Sequence, residues 1–161
     1  MDIRPATPDQ WRTSRDLRLR ALADAPDAFC SSLEQERSFD ESMWKSRLDR
    51  AHTVIAWAGP DAVGTATGKP DPHEEGGREI VGMWVDPTHR GRGVAAALID
   101  ELVAWARAKG SPSIALWVAE DNNPARRLYE KCGFVATGER DVMRPGVDQV
   151  RMRQSLESRS F

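Results

Sequence analysis

Val85-Asp86-Pro87-Thr88-His89-Arg90-Gly91-Arg92-Gly93-Val94-Ala95 joins an apolar run, Glu79 to Val85, to an amphipathic one, Val94 to Lys109. The first run has the composition of a central, buried strand. In the second, Val94, Leu98, Leu102 and Trp105 recur at helical spacing, and Gly110 is a C-terminal stop. A strand, a loop with two glycines and a helix therefore follow one another directly. Such a loop presents backbone N–H groups at the positive end of a helix dipole, a place suited to a diphosphate. Gly91 and Gly93 permit close backbone approach and backbone angles closed to bulkier residues, while Ala95 and Ala96 keep the first turn clear. The competing reading of this loop alone is a tight turn that uses glycine for geometry. There is no G-K-[ST] of a Walker A loop, and no G-x-G-x-x-G in the dinucleotide-fold context with an acidic residue about 20 positions later.

Outward from the loop, the period of the sequence changes twice. Residues 8–25 are helical in pattern, with Thr7 as N-cap, Pro8 near the first position and Pro26 as the stop. Residues 26–51 read as one or two more helices, with Met43, Trp44 and Leu48 on one face. Ile3 belongs to a short first strand; His52 to Ala58 and Val63 to Lys69 are paired strands joined at Gly59-Pro60-Asp61. Lys69 to Gly77, with its prolines and glycines, reads as a long hairpin loop. Ile114 to Ala119 is a strand, Asn123 to Lys131 a short helix, and Phe134 to Glu139 and Val147 to Met152 two closing strands. The expected class is α/β (α+β): one domain over 1–161, a mixed, mostly antiparallel sheet of six to seven strands with helices on both faces.

The 161 residues are 40% hydrophobic and 30% charged, the composition of one soluble domain, and a net charge of −2 gives no reason to expect nucleic acid or an anionic membrane as partner. No apolar leader and no membrane-length apolar stretch is visible, which points to the cytoplasm. Cys30 and Cys132 are far apart and read as reduced thiols. His52, His73 and His89 have no metal-ligand spacing, so no metal is expected.

Arg90-Gly91-Arg92-Gly93-Val94-Ala95 matches the Q/R-x-x-G-x-G/A pattern of the GNAT superfamily of N-acetyltransferases, and Val85-Asp86-Pro87 looks like that family's strand end. Asn122-Asn123-Pro124-Ala125-Arg126-Arg127-Leu128-Tyr129-Glu130-Lys131-Cys132-Gly133-Phe134 resembles its second signature, N-x-x-A-x-x-L-Y-x-x-x-G-F. Both occur in the right order, and the joint match is more specific than either alone. The resemblance implies transfer of an acetyl group from acetyl-CoA to an amine. It implies that the amides of Arg90, Gly91, Arg92, Gly93, Val94 and Ala95 hold the CoA pyrophosphate. Met83, Trp84 and Val85 would pair with the pantetheine arm like an added strand, and the Val85 N–H would reach the thioester carbonyl and its oxyanion. Asn122, with Ala125 of the same motif, would meet the pantetheine. Tyr129, the only tyrosine in the chain, would protonate the leaving thiolate.

An ammonium has no lone pair, so a base or a water chain must deprotonate the acceptor. Glu79 is similar to a glutamate that some members carry on this strand. Strand alternation places it on one face with Val81, Met83 and Val85; a solvated residue at the strand start is the equal alternative. A ribosomal-protein branch keeps its base five positions before the asparagine, where this chain has Trp117; Glu120 and Asp121 are the remaining options. Phe29, Trp44 and Trp84 read as core and not as a pocket wall. Glu34, Glu36, Asp40 and Glu41 read as a solvated face. The acceptor is expected to be a small-molecule amine or a peptide. A protein N-terminal or lysine acetyltransferase and a non-catalytic acyl-CoA-binding or sensing domain are the rival functions. The resemblance leaves a homodimer open, since dimers are common among similar proteins.

Overall fold

A computed structural model describes residues 1–29 and 31–157; Cys30, read above as a reduced thiol, lies outside the described residues. The strands are β1 (Asp2–Pro5), β2 (His52–Ala58), β3 (Asp61–Pro70), β4 (Arg78–Val85), β5 (Ser113–Ala119), β6 (Val135–Arg144) and β7 (Val147–Ser155). The helices are α1 (Trp11–Asp24), α2 (Leu33–Arg37), α3 (Glu41–Arg50), α4 (Val94–Ala108) and α5 (Asn123–Lys131). Among the described residues the strands form one sheet in the order β1-β2-β3-β4-β5-β7-β6. β4 and β5 run parallel, whereas β1–β2, β5–β7 and β6–β7 are antiparallel. The parallel ladder is short, pairing Arg78 with Ile114 and Glu79 with Ala115.

The elements follow the expected order, with shifted ends. Pro8–Gln10 and Pro26–Ala28 are 3-10 turns bracketing α1, because proline suits a helix start but cannot continue one. β6 runs on to Arg144, past the expected end at Glu139. Its polar half, Arg140 to Arg144, shows no apolar alternation, yet it pairs through the backbone with β7 across the turn at Gly146 (φ +83°).

The chain divides into two compact units, and the division falls within β3, β4 and α4. The first comprises Met1–Thr67 and Gly82–Glu101. Its core is Leu17, Ala21, Ile55 and Trp84, with Phe29 and Trp57 packed against it. Trp44 and Trp84 are buried, so the aromatics are core. Gly64 of β3 is what lets the first turns of α4 press onto the sheet. A Cβ there would lie 3.2 Å from Trp84 O and Val94 Cγ1. Asp86 N–H donates to Val63 O at 2.8 Å, fixing the strand end from which the glycine loop departs.

The second unit comprises Gly68–Val81 and the chain from Leu102 onward. Here β5 and β7 pair from Ser113↔Ser155 to Ala119↔Gln149. The Trp105 ring fills the place a side chain at Gly68 would take, and Arg78 stacks on that ring at 5.5 Å. The 71–77 loop is tied down by charge. Arg151, nearly fully buried, binds Asp71 and Glu139, and Arg153 forks onto both oxygens of Glu74 at 3.1 and 2.8 Å.

Candidate active site

In the first unit the loop between β4 and α4 is built by its own polar residues. Asp86 Oδ1 accepts from the Thr88 N–H at 2.9 Å and the Thr88 hydroxyl at 2.7 Å, capping the turn Pro87–His89. Those two Thr88 bonds, with the Arg20 guanidinium on Oδ2, outweigh burial and bring the Asp86 carboxyl down to about 2. The chain then passes through Gly91 (φ +76°) and Gly93 (φ +80°), left-handed positions that a side chain disfavours. Ala97 N–H to Gly93 O, 3.0 Å, is the first bond of the α4 ladder. Among the described residues, the amides of Gly91, Arg92, Gly93, Val94 and Ala95 make no hydrogen bond within the protein. They stand at the N-terminus of a helix of 15 residues, the positive end of its dipole.

Arg90 differs from its neighbours. Its amide turns back to Pro87 O at 3.4 Å, and its Nε donates to Val85 O at 3.0 Å. Its Nη2 donates to Asp24 Oδ2, which also accepts the Trp84 indole N–H at 3.0 Å. The Trp84 and Arg90 bonds hold the Asp24 carboxyl below the usual carboxylate range. Arg90 thus braces the end of β4 against the last residue of α1, and the free amides begin one residue later, at Gly91. Met83 is half-buried, and Trp84 and Val85 are buried.

Gly82 also has a left-handed φ, +62°, in the middle of β4. That breaks the two-residue alternation, so the parity that set Glu79 and Val85 on one face does not carry across it.

In the second unit Glu79 is buried, 8% exposed, and not the solvated strand-start residue of the alternative reading. Lys69 Nζ lies 3.4 Å from its Oε2 in an ion pair, but no donor has hydrogen-bond geometry to that oxygen. Asn122 caps α5, its Oδ1 accepting from the Ala125 N–H at 3.3 Å, which leaves its NH2 group and the second lone pair of Oδ1 for other partners. Tyr129 packs its ring edge-on against Phe134 at 6.3 Å, and desolvation of the hydroxyl pushes its pKa up to about 12. Trp117 packs against His73, and Glu120 pairs with Arg140.

Glu36 overturns its reading as part of a solvated face. It is fully buried and accepts from Arg18 Nε and Nη2, each at 3.0 Å, and from Arg47 Nη1 at 2.7 Å. Burial alone would raise its pKa; the two guanidinium groups overcome that and hold it low. Glu34, Asp40 and Glu41 are exposed, as expected. The partners of Glu36 are 18 and 11 residues away, and those of Asp24 are 60 and 66 away, so no local pattern signals them. Among the described residues no group of three or more His, Cys, Asp or Glu is arranged to hold a metal ion. Among them, too, no helix is long and apolar enough to cross a membrane.

Known proteins resemble this arrangement. The chain is 34% identical over 119 residues, 71% of its length, to a mycothiol acetyltransferase of Geodermatophilus obscurus, of which it covers 38%. It is 33% identical over 140 residues to the L-amino acid N-acetyltransferase AaaT of Escherichia coli, covering 80% of this chain and 83% of that protein. It spans only 25% to 44% of the length of the first curated relatives it matches. The acetyltransferase structure yncA of Salmonella typhimurium, solved with acetyl-CoA and described there as its cofactor, superposes with a TM-score of 0.81 at 18% identity, covering 100% of this chain and 96% of that one. A ribosomal-protein-alanine N-acetyltransferase from Brucella melitensis gives 0.76 at 20% identity, covering 97% and 100%. These likenesses support the fold. Residues 18–134 match the acetyltransferase (GNAT) family, and the chain belongs to it.

Proposed function

We propose that this chain is an acetyl-CoA-dependent N-acetyltransferase that acts on a primary amine. The observation that carries the reading is the run of unpartnered amides from Gly91 to Ala95, opened by two left-handed glycines at the mouth of α4. Five N–H groups and a helix dipole make a cradle for a diphosphate, and glycine holds the left-handed angles at Gly91 and Gly93 that a residue with a Cβ would strain. The relatives named mycothiol acetyltransferase and L-amino acid N-acetyltransferase agree with this chemistry only as relatives.

Acetyl-CoA supplies an acyl thioester. In this reading the Gly91 to Ala95 amides hold its diphosphate, while Arg90 acts through its brace on Val85. Backbone groups of Met83 to Val85 pair with the pantetheine, as does the amide side chain of Asn122, which also caps α5 through Ala125. The Val85 N–H donates to the thioester carbonyl and strengthens its hold as negative charge grows on that oxygen. The amine nitrogen forms a bond to the acyl carbon, and the carbon–sulfur bond breaks. The family resemblance implies Glu79 as the acceptor of the proton the amine must lose, a role that strand alternation no longer supports across Gly82, and Tyr129 as the donor to the departing sulfur. A pKa near 12 keeps Tyr129 protonated at every working pH. The chain from 1 to 161 is one catalytic domain in this proposal, with β3, β4 and α4 each running through both units.

The test is release of free CoA thiol from acetyl-CoA across a panel of amines and peptides, beside calorimetric binding of CoA. Turnover with at least one amine is expected. CoA binding without turnover on any acceptor would leave a binding domain, and absence of CoA binding would end the reading.

A further inference from the structure

We propose that Arg18 forms an anion subsite beside β4, and that the acceptor is therefore an amine that also carries a carboxylate. The proposal rests on the acyl-transfer reading above and names its substrate class.

Arg18 and Arg47 both bind the buried carboxylate of Glu36. Two guanidinium groups share one carboxylate, so the cluster carries a formal net charge of +1. Arg47 and the Nε–Nη2 edge of Arg18 occupy both Glu36 oxygens. Nη1 of Arg18 is left over: among the described residues it makes no hydrogen bond. The guanidinium is held flat by the Phe29 ring, 4.6 Å from its carbon, and the side chain is 23% exposed. Its orientation is thus fixed by a buried partner and an aromatic face before any ligand arrives, which lowers the ordering cost of binding.

That free end lies beside Gly82: a Cβ built there would be 3.6 Å from Nη1, in ordinary van der Waals contact, and would meet no other heavy atom within 4 Å, so the space next to Nη1 is open. Gly82 directly precedes Met83 to Val85, where the thioester is proposed to lie. An unmet guanidinium edge with excess positive charge, partly out of water, selects a planar monoanion. A carboxylate docked there would hold its own amine beside the strand end that polarises the thioester. The acidic residues of the same segment do not compete, because Glu36 is consumed by its two arginines and Glu34, Asp40 and Glu41 are exposed.

The experiment pairs free amino acids with their carboxamides as acceptors in the thiol-release assay, compared at equal concentrations of neutral amine. The acids are expected to exceed the amides by about tenfold or more in kcat/KM, the worth of one charge-assisted hydrogen bond. Arg18→Lys keeps the charge but loses the fork, and should shrink that ratio several-fold; calorimetric acetyl-CoA binding checks that the variant is folded. A second arm needs no turnover: N-acetyl amino acids and their amides are titrated calorimetrically into the CoA-loaded protein, with tighter binding expected for the acids. Equal behaviour of acids and amides in both arms overturns the subsite, as does a marked preference for peptides lacking a nearby carboxylate. If acetyl-CoA binds but no amine turns over, the transferase reading fails while the calorimetric arm still judges Arg18.

Discussion

Replacing Gly93 with valine tests the cradle directly. Gly93 sits at φ +80°, and nothing lies within 4 Å of a Cβ built on it. A new side chain therefore meets no packing clash, and its cost is conformational. A residue with a Cβ pays about 1–2 kcal/mol in the left-handed region, and a β-branched one falls at the upper end. For a chain of this size that corresponds to a loss of roughly 2–8 °C in Tm. If the loop relaxes to a negative φ, the neighbouring amides swing off the diphosphate. Losing two charge-assisted bonds at about 1.5–3 kcal/mol each weakens CoA binding by roughly two to four orders of magnitude. Calorimetry with CoA reads the affinity and a thermal melt reads the strain. A variant that melts lower yet binds CoA as tightly as the parent would refute the assignment of these amides to the diphosphate.

Four further outcomes are expected. Glu36→Gln should cost about 3 kcal/mol, at the low end for breaking a buried ion pair because Arg18 and Arg47 can partly rehydrate. The folded-state pKa of Glu36 is depressed, so its contribution is present above the ordinary value of 4.5 and fades as pH falls through the folded value. Denaturant unfolding of parent and variant should therefore converge in acid, and a gap that persists there contradicts the cause given. Tyr129→Phe should lower kcat far more than CoA affinity, and because its pKa lies near 12, the parent should show no basic limb from this residue below about pH 11. Glu79→Gln should depress turnover near neutral pH while changing the melting temperature little, because loss of the ion pair to half-exposed Lys69 is offset by removal of a buried carboxylate with no hydrogen bond on Oε2; full activity at neutral pH removes it as the base. Gly68→Ala would set a Cβ 2.4 Å from Trp105 Cζ3, and should destabilise by about 1–3 kcal/mol in a chemical melt.

The linear order of residues was enough for the β4–loop–α4 unit, for the two signatures that carry the family, and for the type of nearly every element. Each of those depends on neighbours a few positions apart, where hydrophobic period, proline and glycine act on the local backbone. The polar half of β6 escaped, because backbone pairing with β7 organises it and apolar alternation does not. What tertiary structure alone decided were the partners of charge. Glu36 reads as solvated until Arg18 and Arg47 close on it, the Arg90 guanidinium finds its partner Asp24 66 residues away, and Glu79, open in the sequence between a base and a solvated strand start, is buried in place. A left-handed Gly82 likewise undoes a face assignment that alternation alone supports. Burial and ion pairing join residues tens of positions apart, and their free energies depend on desolvation that exists only once the chain has folded around them.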